Sequence, residues 1–328
     1  SIINSQGIPS EIYSIDEAFL DLSSIGGRVG FSNSLSSLIE KSTGIPVSIG
    51  LGPNKTLAKV ANYIVKKDIS IQVSSINKDN LDRTLKRVPI DKVWGVGRSS
   101  SSMLSRYGVR TAYDFASLRS KWVGSLMSIS ALRTMKELRG ERCYDLSCLP
   151  SPKVSIRTAR SLVDKTSDIT VLEGLVSSYA TNCAEKLRAQ RGCAKRVTVF
   201  LGTDNFSNEA SFRDSRALFF NSPSSDGIEI SRLAIRALHS IFKKEYIYKK
   251  VGVIVSDIVP SDSIQINMFD TADRTRRDRL MRSIDIINRS KGSGTVRIAT
   301  NPYNKPKSVQ KNLSPCYTTR WEDLLIVR

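Results

Sequence analysis

The eleven residues Glu11-Ile12-Tyr13-Ser14-Ile15-Asp16-Glu17-Ala18-Phe19-Leu20-Asp21 restrict the fold more than any other stretch of this 328-residue chain. Tyr13 and Ile15 alternate before the acid pair, and Phe19, Leu20 and Leu22 follow it, so two short β-prone runs flank two adjacent carboxylates. Neighbouring side chains on a strand point to opposite faces. Asp16 and Glu17 can therefore serve one site only if the chain turns sharply there. The pattern predicts a hairpin with the acid pair at its tip, at the edge of a sheet. Two carboxylates held together repel unless a cation lies between them. Mg²⁺ suits such a place, because it takes hard oxygen ligands and bridges protein carboxylates to substrate phosphates. The dipeptide by itself reads first as a solvated turn.

Charge narrows the partner. Lys and Arg number 50 against 31 Asp and Glu, a formal charge of +19. The excess is spread along the chain, with 20 basic and 13 acidic residues in 1–150 and 30 and 18 in 151–328. That distribution predicts a polyanionic partner, nucleic acid before membrane. Cys143, Cys148, Cys183, Cys193 and Cys316 form no CxxC pair, which argues against disulfides and a zinc site and for a reducing, cytoplasmic setting. His239 is the only histidine and lies in an apolar helical run, where a core or boundary position is expected. One histidine and no GxSxG elbow exclude a Ser-His triad as the working assumption. No stretch is apolar enough for a membrane helix or a secretion signal.

Residues 33–42 carry helical spacing, and Gly44-Ile45-Pro46-Val47-Ser48-Ile49-Gly50-Leu51 reads as a short strand. Gly52-Pro53-Asn54 breaks it, and a helix follows from Lys55 with Asn54 as its N-cap. A Walker motif needs Gly directly before Lys; Asn54 stands there, so a P-loop is rejected. A helix N-terminus with free N–H groups, its dipole and Lys55 can still hold a nucleotide triphosphate, with Lys59 one turn on as a second contact. A surface lysine with no such role is the competing reading.

Residues 88–118 look like a helix–hairpin–helix around Trp94-Gly95-Val96-Gly97-Arg98. A Gly-x-Gly turn lets backbone N–H groups approach a phosphate, which fixes position on DNA without reading sequence. Gly95, Gly97 and Arg98 are the candidate contacts, against a plain turn between helices. Pro150-Ser151-Pro152 marks a linker. Beyond it, alternation puts Ser155, Arg157, Ala159 and Ser161 on one face of a strand and Ile156, Thr158, Arg160 and Leu162 on the other. Helical runs at 170–190 and 229–243 and strands at 195–201 and 250–256 predict two helices backing a four-stranded sheet. Gln265-Ile266-Asn267-Met268-Phe269 is a glutamine anchor followed by apolar residues, a pattern able to dock in a hydrophobic pocket. The basic tail holds 13 Lys and Arg between Arg274 and Arg328, with a short helix expected around Leu280, Ile284 and Ile287.

These motifs, in this order, resemble the Y-family translesion DNA polymerases, and the ending Leu313-Ser314-Pro315-Cys316-Tyr317-Thr318-Thr319-Arg320-Trp321-Glu322-Asp323-Leu324 resembles their UmuC type. The resemblance covers essentially the whole chain. It implies an α+β multidomain fold: partial palm over 1–87, helix–hairpin–helix thumb over 88–150, little finger over 151–259, then a clamp-binding motif and basic tail over 260–328. It implies a DNA polymerase acting in SOS-linked DNA repair and bound to damaged primer–template. Asp16 and Glu17 become ligands of two Mg²⁺ ions, and Lys55 and Lys59 become contacts to the incoming deoxynucleoside triphosphate. Gly95, Gly97, Arg98, Ser155, Arg157 and Arg160 are assigned to DNA, and residues 265–269 to a sliding clamp. A UmuD-like dimer and a recombinase filament are further implied partners, in the bacterial nucleoid. Family members also carry a preceding strand with another catalytic aspartate, a steric-gate aromatic and the fingers. None of these is in this sequence, so little or no primer extension is expected from the chain alone. A non-catalytic DNA- and clamp-binding remnant is the alternative.

Overall fold

The computed structural model describes residues 2–67, 72–147, 152–204, 211–264, 270, 273–300, 314–316 and 319–324. The chain divides into two compact units, Ser1–Pro150 and Ser151–Arg328. The pentapeptide 265–269 lies outside the described residues.

The first unit opens with the expected hairpin. Strands β1 (Ser10–Ile12) and β2 (Ala18–Leu20) pair antiparallel with Glu11 opposite Phe19. Helix α1 (Arg28–Thr43) follows, longer than its periodicity predicts and closed by Gly44. A β–α–β segment comes next: β3 (Ile49–Leu51), α2 (Lys55–Lys67) and β4 (Val73–Ser75), the two strands parallel. Gly50 is required by the contact of β3 with α2. A Cβ there would lie 2.2 Å from Ala58 O and 2.3 Å from Asn62 N, so any side chain drives the helix off the strand.

Leu57, Val60, Ala61 and Val65 recur at helical spacing along α2 and are buried. Leu57, Val60 and Ala61 share one core with residues from the rest of the unit. That remainder is α3 (Leu81–Lys86), a 3₁₀ turn at Ile90–Lys92, α4 (Arg98–Arg106), α5 (Ala112–Ser117), α6 (Ser120–Leu126) and α7 (Ile129–Leu138). Leu85, Val88, Leu104, Phe115, Met135 and Leu138 belong to the same cluster, so the palm-like and thumb-like segments are not separate cores. Fully burying one such side chain stabilises the fold by about 1.5–3 kcal/mol. Thr111 and Asp114 close a reciprocal capping box on α5.

The second unit is a four-stranded antiparallel sheet with helices on one face. Its elements are β5 (Ser155–Thr166), α8 (Ile169–Ala189), β6 (Gly192–Gly202), β7 (Arg213–Ser224), α9 (Gly227–Ile241) and β8 (Tyr248–Pro260), with strand order β5-β8-β6-β7. Val197, Val199, Leu201, Val251, Val253 and Val255 alternate into a core with α8 and α9. Strand β7 carries no apolar alternation in its first half, Arg213-Asp214-Ser215-Arg216, and the sequence did not locate it.

Helix α10 (Arg274–Lys291) docks on this unit through Met281 and a bidentate Arg188–Asp285 pair at 2.7 and 2.6 Å. It runs well beyond the short helix expected there. His239 corrects its expectation: Leu238 faces the core, while His239, one position round the helix, is exposed and lies 2.7 Å from Glu173. No helix among the described residues is long and apolar enough to cross a membrane.

Candidate active site

The hairpin reverses over residues 13–17, where the N–H groups of Tyr13 and Ser14 both donate to Glu17 O, at 3.0 and 3.1 Å. Asp16 is exposed at the tip and accepts from Ser14 Oγ at 2.5 Å. The Ser14 hydroxyl holds the Asp16 carboxyl below its ordinary value, helped by the distant charges of Lys66 and Lys59. Glu17 turns elsewhere. Its Oε1 lies 2.6 Å from Lys59 Nζ on α2. The adjacent acids are thus satisfied by different partners, one within the tip and one on the helix.

Lys55 is not a surface lysine. Its side chain is 9% exposed, and its ammonium donates to Glu11 Oε2 at 2.5 Å and to Asp145 O at 2.7 Å. The Phe19 ring centroid lies 5.3 Å away. Lys55 and Lys59 are four apart and share one face of α2. Glu11 stands opposite Phe19 on the hairpin, and Glu17 is two residues before Phe19, so both acids share the face that meets these lysines. Glu11 also accepts from Ser147 N at 2.6 Å. Burial pushes its carboxyl up, but the Lys55 and Ser147 hydrogen bonds outweigh burial and hold it below the ordinary carboxylate range.

The start of α2 corrects one expectation. Asn54 is the N-cap, its Oδ1 accepting from Leu57 N at 2.9 Å. The next donor is taken as well: Glu137 Oε2 accepts from Thr56 N at 2.9 Å and from Thr56 Oγ1 at 2.7 Å. These N–H groups are not free for phosphate, and Lys55 is what this helix end offers. A cavity of about 950 Å³ lies beside it, with Arg28, Lys78, Arg139 and Arg142 on its wall and Asp21 as its one acid. Asp16 and Glu17 are outside that wall.

Four aromatic rings join the tip to the glycine turn: Tyr13, Phe19 and Tyr144 each lie 5.6–5.9 Å from Trp94, centroid to centroid. Trp94 Nε1 donates to Tyr13 Oη at 3.3 Å. Gly95 has φ +86° and a Cβ there would come within 2.9 Å of Thr134 Oγ1, so glycine is needed for both conformation and space. Gly97 is extended and precedes α4 without a side-chain cap, leaving Arg98 exposed at the helix start.

On the second unit the two arginines assigned to one role leave opposite faces of β5. Arg157 and Ser155 stand on the face without helices, Arg157 4.5 Å from the Phe200 ring centroid. Arg160 pairs in register with the buried Val251, on the helix side, and is exposed at the sheet edge. Register adds Arg196, Lys250 and Arg213 to the open face, among small residues such as Thr198, Ala217 and Gly252. The sequence reading missed Glu11, Trp94, Glu137 and Arg196 as site residues. Parity with Glu17 across the turn was an available signal for Glu11. An acid in the last turn of a helix, against the dipole, was one for Glu137.

No group of three or more His, Cys, Asp or Glu side chains able to hold a metal ion occurs among the described residues. The tip offers hard carboxylate oxygens from two residues, a donor set that fits Mg²⁺, which is commonly held by one or two carboxylates with phosphate and water.

The fold is that of a Y-family DNA polymerase. A Y-family polymerase chimera, Dbh-Dpo4(243-245)-Dbh, superposes with a TM-score of 0.60 at 20% identity, over 79% of this chain and 74% of that one. The sequence matches the impB/mucB/samB family over residues 1–63, its C-terminal domain over 153–268, and a domain of unknown function, DUF4113, over 278–327. Protein UmuC of Salmonella typhimurium is 33% identical over 97% of this chain and 78% of its own length. DNA polymerase IV of Desulfatibacillum aliphaticivorans is 26% identical over 88% of this chain and 72% of its own. The chain belongs to the impB/mucB/samB family, as a UmuC homologue.

Proposed function

We infer that this chain carries out template-directed nucleotidyl transfer on damaged primer–template DNA, as a UmuC-type translesion polymerase. One observation carries the reading: Lys55 and Lys59, one helical turn apart, face a hairpin whose tip presents Asp16 and Glu17, beside a strongly basic cavity. Lys55 and the cavity arginines attract the triphosphate of a deoxynucleotide. Asp16 and Glu17 would hold Mg²⁺. When bound, that ion supplies charge stabilisation at the transferring phosphoryl group and lowers the pKa of the attacking hydroxyl. Lys59 neutralises Glu17 and becomes available to phosphate once Glu17 takes another cation. Gly95, Gly97 and the uncapped start of α4, with Arg98, suit a DNA phosphate. The open sheet face with Ser155, Arg157, Arg196, Arg213 and Lys250 suits a duplex backbone. Arg160, in register with Val251 on the helix side, stands outside this contact.

An SOS-repair role and docking of residues 265–269 on a sliding clamp complete the reading, with a UmuD-like dimer and a recombinase filament as further partners. The test is primer extension opposite an abasic site with Mg²⁺, comparing the chain and its Asp16→Asn variant, each as given and with the first strand and fingers of a UmuC relative fused ahead of it. Extension that depends on Asp16 supports the polymerase. A second reading has its own observation: the two acids of the tip are already taken by different partners, Asp16 by Ser14 and Glu17 by Lys59. Salt-dependent DNA binding with no incorporation supports that reading, a protein that grips DNA and clamp without catalysis.

A further inference from the structure

Among the described residues of the first unit, Glu137 is the one acidic side chain that is fully buried, with 0% exposure. A buried carboxylate is tolerated only when its lone pairs are satisfied. Here Oε2 takes Thr56 N and Thr56 Oγ1, and Oε1 takes the N–H groups of Cys143 and Tyr144, both at 3.1 Å. None of these donors is a charged side chain, so the carboxylate is held by a polar socket and by the N-terminal end of α2. The socket has two halves. One is the residue directly after Lys55. The other is the strap 141–147, which supplies Asp145 O to Lys55 and Ser147 N to Glu11. Asn54 fastens the same junction, its Nδ2 donating to Glu137 O at 2.7 Å and to Glu141 O at 3.0 Å.

We propose that Glu137 is the positioning residue of Lys55: by tying the first turn of α2 to the strap, it fixes where the Lys55 ammonium stands. A well-packed apolar residue would fill the same space without a charge to compensate. It would not hold two backbone segments in register around the lysine. Glu137 touches no substrate and acts through Lys55. The inference rests on the reading of Lys55 as a triphosphate contact only for its consequence in binding.

The decisive variant is Glu137→Gln, whose amide NH₂ must face a donor. Acylation of lysines by an N-hydroxysuccinimide ester, quantified by mass spectrometry, reports the position of Lys55 directly, with Lys59 and Lys66 as internal references. Glu137→Gln should raise Lys55 labelling about tenfold while the reference lysines stay unchanged, and should weaken Mg²⁺–dATP binding by a similar factor. Unchanged Lys55 labelling in the folded variant overturns the proposal, and so does a rise shared by all three lysines, which reports general loosening. If Glu137→Gln does not fold, Thr56→Ala removes one donor and keeps its N–H. A selective rise of about twofold or more at Lys55 then supports the proposal, and none overturns it. Should the wild type bind no dATP while labelling responds as expected, the triphosphate reading falls and the positioning role stands.

Discussion

Lys55 Nζ lies 2.5 Å from Glu11 Oε2, inside a shell that leaves the lysine side chain 9% exposed. The ammonium that a triphosphate would approach is thus already neutralised by an acid from β1. Glu11→Gln keeps an acceptor for Lys55 and removes the opposing charge. Mg²⁺–dATP should bind about tenfold more tightly to this variant, and Lys55→Gln should lose binding by at least that factor, both read by calorimetry. Equal affinity in wild type and Lys55→Gln would remove Lys55 from the site.

The same pair gives a pH dependence with a definite sign. The Glu11 carboxyl sits below its ordinary value of 4.5 in the folded protein. Its contribution is therefore complete above about pH 4.5 and is lost as pH falls through the lower folded value. The stability gap between wild type and Glu11→Gln, from urea melts, should be widest near neutrality and close as pH falls below about 4.5. A gap that grows with acid would mean that the carboxylate is not held by Lys55.

Asp16 is fully exposed, so its effect is read by spectroscopy rather than by stability. The Ser14 hydroxyl is the main cause of its lowered carboxyl. Ser14→Ala should return Asp16 toward the ordinary aspartate value in a carbon-13 carboxyl titration. No movement would show that the short contact at the tip is not formed in solution.

Local features of the site were legible in the sequence, and non-local ones were not. The hairpin tip, the Asn54 cap and the Lys55–Lys59 spacing each depend on residues within a few positions, where period and capping rules decide. The same rules gave the alternation of Arg157 and Arg160, although both had been assigned to one surface. The partners that decide what Lys55 does come from far away: Glu11 is 44 residues upstream, and Glu137 is 81 residues beyond Thr56. No local pattern announces such a contact, and the helix start looked open because its distal carboxylate could not be foreseen. His239 failed for a different reason. Apolar neighbours at helical spacing fix the buried stripe, and one position off that stripe the side chain faces water.

Gly50 tests how closely α2 must lie on β3. A methyl group there would meet backbone atoms at 2.2 and 2.3 Å, and neither can swing away as a side-chain end would. Gly50→Ala should destabilise the first unit by about 1–3 kcal/mol through overpacking. Urea denaturation followed by circular dichroism measures it. An unchanged midpoint would mean that the strand and helix tolerate separation, and that Lys55 and Lys59 are not held against the hairpin by this contact.

Arg157 and Arg160 leave opposite faces of β5. Arg157 stands with Arg196, Arg213 and Lys250 on the face without helices, whereas Arg160 leaves on the helix side. A phosphate contact contributes about one unit to the slope of log affinity against log salt. Arg157→Ala should lower that slope by about one for a primer–template duplex and weaken binding regardless of sequence. Arg160→Ala should leave the slope within error, because its side chain points away from a duplex laid on the open face. The measurement is fluorescence anisotropy over a salt series, with both variants checked for wild-type melting. Equal losses from the two substitutions would mean that the duplex grips the edge of the sheet instead of its face.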